Sequence, residues 1–286
     1  MLSKEKYEKL NKEIILPNDY IPSYEELIAF YNEMKDISDN PIVKEEADDD
    51  IVNIVELYCL YFGMVSFSLL SSADVENFKE RSMFCAMFST IANSTLSIKY
   101  LAMKGLDYQA NVVMRQLFEM CMLLLNVSIE KEKAEALINT ENIEENSKIW
   151  RRYFTPSKLN ETIEKYEGDF LTEWRKENYS WYSNYSHNDY LSFFLFSYSR
   201  PLTEEETLIS NVWGGFVSRQ NILLQNLASL LWYTTKAFAK IVSDLTTNFS
   251  KEKFVENEDF WNFAGYVLFL VDAYYQEYFY KKDSDA

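Results

Sequence analysis

The stretch from Val112 to Val127 reads VVMRQLFEMCMLLLNV, and at 3.6 residues per turn its apolar side chains occupy almost the whole circumference of a helix. A helix that is apolar on every side is buried on every side, so the rest of the chain must wrap it. The 286 residues contain only 6 glycines and 5 prolines, too few to turn a sandwich, a barrel or a series of βαβ units. A hydrophobic content of 48% supplies ample core. The expectation is an all-α, single-domain bundle over residues 1–286 with about eight to ten helices. The buried helix near 108–129 stands at its centre, and residues 1–48 form an N-terminal helical extension packed on the core.

Local signals punctuate that bundle. Residues 3–15 read as a charged helix, and Ser23 with Glu26 forms a capping box for a second. Asp48, Asp49 and Asp50 place negative charge at the start of a helix over 50–70. A long helix over 78–104 ends at Gly105, and Asp107 caps the buried helix, so the two form a hairpin. Residues 131–153 read as a polar, broken helix, and Thr155-Pro156 opens the next. Helical spacing returns over 169–190, and two long helices, about 215–247 and 257–281, finish the chain.

A formal charge of −17 opposes free binding to nucleic acid or to an anionic membrane, so any contact with RNA must be local. Cys59, Cys85 and Cys121 are odd in number, widely spaced and set in apolar sequence, as reduced buried thiols are. The N-terminus lacks a signal-peptide pattern, and the uncharged apolar stretch from Leu57 to Ser72 is shorter than the roughly 20 residues a membrane span needs. These features point to a cytoplasmic protein with no membrane partner. One local exception to the acidity is the segment from Lys148 to Lys158, where Arg151 and Arg152 add charge among aromatic residues. It suits single-stranded nucleic acid or a solvated helix end.

Two positions break the apolar pattern of the central helix. Arg115 and Glu119 stand one turn apart between Phe118 and Met122, and a buried charge requires a partner. The only histidine adds a second feature. Tyr179, Tyr182, Ser183, Ser186, His187 and Tyr190 recur at helical spacing on one face, and Arg175 extends it by a turn. If that face meets the Arg115 and Glu119 face, an interior cluster of guanidinium, carboxylate, imidazole and hydroxyl groups results, suited to acid–base or phosphate chemistry. The candidate catalytic residues are His187, Arg115, Glu119, Tyr182 and Ser186. The same groups also suit a network that only fixes helix packing. A single histidine leaves no His-rich metal site, and no glycine loop for nucleotide phosphates is present, so no cofactor and no metal are expected.

The residues Arg115-Gln-Leu-Phe-Glu119, followed some seventy positions later by Tyr182-Ser-Asn-Tyr-Ser-His187, resemble the pattern of a family of uncharacterised bacterial helical proteins. That family is similar in style to the HEPN superfamily of helical ribonucleases and nucleotide-binding proteins, many of them in toxin and anti-phage systems. Their arginine shortly precedes the histidine on one helix, whereas here His187 follows Arg175 by twelve positions. The resemblance implies a metal-independent ribonuclease or toxin of phage defence, with RNA or a small ligand as partner. In that reading His187 is the general acid or base, and Arg115 or Arg175 stabilises the phosphorane. The alternative is a non-catalytic helical regulator, or an oligomerising module that binds a protein partner or its own copy, in which the Arg-Glu-Tyr-His groups form structural glue.

Overall fold

The computed structural model describes residues 3–11, 22–39, 43–44, 46–70, 76–140, 142–186, 198–199, 209–210, 216–217 and 220–281. Among them stand twelve helices: α1 (Lys4–Asn11), α2 (Tyr24–Asp39), α3 (Asp49–Ser68), α4 (Phe78–Met103), α5 (Asp107–Ile129), α6 (Lys131–Ile138), α7 (Ile143–Tyr153), α8 (Pro156–Glu164), α9 (Asp169–Ser186), α10 (Gln220–Ser243), α11 (Lys251–Phe254) and α12 (Glu258–Lys281). Two bridges of two residues each complete the described elements: β1 (Val43–Lys44) runs parallel to β4 (Phe216–Val217), and β2 (Tyr198–Ser199) antiparallel to β3 (Ile209–Ser210). The class is all-α. The count exceeds the expected eight to ten because the 131–153 stretch breaks into α6 and α7 at Asn142, which caps Glu145 N–H at 2.9 Å, and because the one-turn α11 precedes α12.

Helix α5 lies at the centre, touched by α4, α6, α8, α9 and α10. Leu117, Cys121 and Leu124 are each 0% exposed, as an all-round apolar helix requires. The α4–α5 hairpin turns on Gly105, whose φ of 66° is the left-handed cap. Leu106 N–H returns to Leu101 O at 2.9 Å and Gly105 N–H to Ala102 O at 3.0 Å. Asp107, expected as the cap, is instead the first residue of α5, with Leu106 at the cap position. A second layer packs α3 against α4 and α12. Glu56 on α3 and Lys99 on α4 meet at 2.5 Å, so the lysine is paired rather than merely extended toward water.

The connection from α10 to α12 ties the two layers at their helix ends. Phe249 N–H and Asn248 Nδ2 satisfy the Ser128 and Val127 carbonyls of α5, both at 2.9 Å, while Glu256 N–H satisfies Ser68 O of α3. Phe249 also packs edge-on to Phe84 and Phe238, each 5.0 Å away, so one short segment both caps and fills the core. At the other end, α2 carries the capping box: Ser23 N–H donates to Glu26 at 2.7 Å, and Glu26 N–H returns to Ser23 Oγ at 3.1 Å. Helices α3 and α5 are long and apolar enough by composition to cross a membrane, but 50% and 72% of their apolar windows lie inside the molecule, where they serve as core.

Candidate functional site

Arg115 points from α5 toward α9. Its guanidinium carbon sits 4.2 Å from the centre of the Tyr179 ring, one nitrogen reaches Tyr179 O at 3.4 Å, and another donates to Glu119 at 2.7 Å. The arginine side chain is 8% exposed, yet its carboxylate partner is 46% exposed. The sequence reading buries both, and the difference has a local cause. One turn along α5, the Glu119 side chain faces a cleft bounded by α5, α7, α8 and α9 rather than closed packing.

That cleft holds about 400 Å³ of empty space, part of it open to solvent, with Phe118, Trp150, Phe154 and Tyr179 among its walls and Glu119 and Asn160 as its polar points. Trp150 and Phe154 lie 5.4 Å apart, and Trp150 is 39% exposed, so an aromatic surface remains available to a flat ligand. Arg151, Arg152 and Lys158 follow or precede these wall residues in sequence and are exposed. The segment that carries this basic run therefore also supplies Trp150 and Phe154 to the cleft wall.

Arg175, expected on the same face as Tyr179, joins a different cluster. Its guanidinium grips Glu167 with two bonds, Nε at 2.7 Å and a terminal nitrogen at 3.0 Å, and also donates to Asn160. The Tyr233 hydroxyl donates to the same carboxylate, and Thr172 adds a bond at 2.9 Å. Glu167 and Arg175 side chains are 0% and 1% exposed. Burial alone would lower the Arg175 guanidinium, but its hydrogen bonds to Glu167 hold it above its ordinary range; burial and the adjacent carboxylate push the Tyr233 phenol well up. This is a closed ion pair that joins the α8–α9 turn to α10. Glu167, Asn160 and Tyr233 were missed in the sequence because no helical spacing links them.

Of the remaining candidates, Tyr182 is fully buried, 5.8 Å from Phe118 across the α5–α9 contact. Ser186 is the last residue of α9, and His187 lies outside the described residues. A third polar group, Lys133, is buried against Asn126 at 2.7 Å and Thr162 at 2.5 Å, and burial holds its ammonium below the ordinary range. Among the described residues no three of His, Cys, Asp and Glu converge as a metal site requires.

Residues 81–197 match the model of a family of unknown function, DUF5677. The match runs from α4 through α5 and α9, so it contains Arg115, Glu119, Tyr182 and His187 together with the cleft. No curated protein and no solved structure matches the chain. The expectation of an uncharacterised family holds in that coarse form.

Proposed function

We propose that the cleft between α5, α7, α8 and α9 receives one nucleotide unit of RNA, and that the protein is a cytoplasmic, metal-independent ribonuclease similar in style to the HEPN enzymes of bacterial toxin and anti-phage systems. The observation that carries this reading is the Arg115–Glu119 pair, a buried guanidinium whose carboxylate is half-exposed to an aromatic cleft. A base stacks on Trp150 or Tyr179, as single-stranded nucleic acid does on aromatic platforms, and the phosphate meets Arg115 with Arg151, Arg152 and Lys158 around it. In this reading His187, which follows α9 in sequence, takes the proton from the 2′-hydroxyl as that oxygen attacks phosphorus. The bond from phosphorus to the 5′-oxygen breaks and the leaving oxygen takes a proton from solvent, while Arg115 stabilises the charge that develops on the phosphoryl oxygens. Arg175 has no part in it, because its charge is already matched by a sealed carboxylate. Three free thiols agree with a reducing compartment.

The test is cleavage of a fluorescent single-stranded RNA by purified wild type, His187→Ala and Arg115→Ala in the presence of a metal chelator. Wild-type cleavage lost in both variants is expected. Equal cleavage by all three assigns the activity to a contaminant, and RNA binding without cleavage leaves a binding module. That second reading, a non-catalytic helical module, is favoured by the Arg175 cluster, whose polar groups are spent on one another and fix α8, α9 and α10 together.

A further inference from the structure

Helix α12 carries a second feature that does not depend on the ligand of the cleft. Residues 260–271, FWNFAGYVLFLV, contain no charge, in a chain whose net charge is −17. Phe263, Tyr266, Phe269 and Leu270 recur at helical spacing along its outer side and are 47%, 65%, 81% and 43% exposed, and Phe67 of α3 continues the patch beside Phe260 at a ring distance of 5.8 Å. With a whole aromatic side chain worth roughly 150–250 Å², the patch offers on the order of 700 Å², against the about 800 Å² per partner of a standard interface. An exposed apolar surface of that size is costly on an isolated chain.

Next to this ridge lies a groove between α3, α10 and α12, with about 520 Å³ of empty space partly open to solvent and walls that include Tyr61, Val65, Phe238, Val242 and Leu268. Gly265 also lines it, and a Cβ at that position would meet nothing within 4 Å. The projecting Phe269 and the vacant Gly265 are one helical turn apart on the same element. We propose that the chain forms a two-fold dimer in which α12 packs antiparallel to its copy, each Phe269 seated over the partner's Gly265 groove. A two-fold interface uses one patch on both subunits and must complement itself, which a knob and a hole one turn apart do. Charge selects the occupant. A basic partner would seek carboxylates that this face lacks, whereas a second copy of like charge meets least repulsion at the one long charge-free face of α12.

The experiment is sedimentation equilibrium of the full chain over the micromolar range, at low and high salt, for wild type, Phe269→Glu and Gly265→Leu, with circular dichroism and thermal unfolding of each. Wild type is expected to dimerise, more strongly at high salt because screening removes the repulsion between two acidic copies. Both variants are expected to be monomeric across that range with native dichroism. Phe269→Glu changes an exposed side chain, and Gly265→Leu improves helix propensity while filling the hole, so lost association in either is not lost folding. A wild type that stays monomeric, a dimer that survives both substitutions, or a dimer that weakens as salt rises would overturn the proposal. So would flotation of a monomeric wild type with phosphatidylcholine–phosphatidylglycerol vesicles, which would make a membrane the occupant.

Discussion

Arg115 on α5 and Arg175 on α9 each have a glutamate, an aromatic ring and a hydrogen bond to a group beyond their own helix. Around Arg175 the principal partner is sealed: the Glu167 side chain is 0% exposed and receives bonds from the guanidinium, Tyr233 and Thr172, while the 41% exposed Glu164 stands farther off at 3.7 Å. Around Arg115 the guanidinium is covered, but Glu119 is 46% exposed at the edge of a cleft. The same residue types thus make two different objects. Where the carboxylate is dry, the charges are matched in place and the pair holds helices together. Where it is wet, leaving the guanidinium costs the carboxylate less, which is what the proposed exchange for a phosphate requires.

The largest effect is expected in the closed cluster. Glu167→Gln removes the buried counter-charge of the Arg175 guanidinium, leaving only the half-exposed Glu164 at 3.7 Å, and should destabilise by about 3–5 kcal/mol, read as a lower thermal midpoint and urea midpoint. Tyr233→Phe removes one donor to the same carboxylate and should cost about 1–3 kcal/mol; its Trp174 stacking partner, 5.1 Å away, keeps the ring in place. If either substitution leaves the thermal midpoint unchanged, the cluster is not the closed network that the contrast requires.

The open pair should respond less. Arg115→Ala loses the contact with the Tyr179 ring and should cost about 1–2 kcal/mol, and Glu119→Gln less than about 1 kcal/mol, since the glutamate is half in water. Chemical denaturation of the two single variants measures this, and a loss of 3 kcal/mol or more for Glu119→Gln, the size expected of a sealed charge, would make the two clusters equivalent.

How much of this was legible beforehand depended on range. Gly105, the Ser23–Glu26 box, Asp48 and Thr155-Pro156 act within a turn of themselves, and the elements they delimit stand within a few residues of expectation. Of the end helices, α10 came out shorter at both ends, Gln220–Ser243 against the expected 215–247, whereas α12 stands within a residue of its expected 257–281. The burial of Arg115 followed from the apolar circumference of its own helix. The exposure of Glu119 did not, because it depends on where α7 and α8 stand, and no local rule places them. Arg175 shares a helix face with Tyr179 by spacing, but its long side chain turns back to Glu167 in the preceding turn, a partner supplied by the α8–α9 geometry. Tyr233 arrives from α10, far along the chain. Helix signals are local, whereas ion-pair partners are chosen by packing.

Proton titration sharpens the contrast at a smaller scale. Burial pushes the Cys121 thiol up to about 12 and raises the Tyr58, Tyr61, Tyr233 and Tyr275 phenols. A folded-state pKa above the unfolded value means that the folded chain keeps protons the unfolded chain releases. The associated stability is therefore intact below pH 9 and is lost as pH rises through the thiol's ordinary 9 and the phenols' ordinary 10. Urea midpoints should fall progressively above pH 9, and Cys121 should resist a thiol reagent at neutral pH in the folded state. Rapid labelling of Cys121 in native buffer would show that the interior around α5 opens readily.

The most direct test of the difference between the two clusters is an RNA titration of Glu119→Gln followed by Trp150 fluorescence, in a His187→Ala background that prevents turnover. Trp150 forms part of the cleft wall beside Glu119. Removing the carboxylate that competes for Arg115 should strengthen saturable quenching by a single-stranded oligonucleotide relative to the His187→Ala parent, with Arg115→Ala in the same background weakening it. Identical titrations for all three proteins, or no quenching in any, would contradict an open, anion-accepting Arg115.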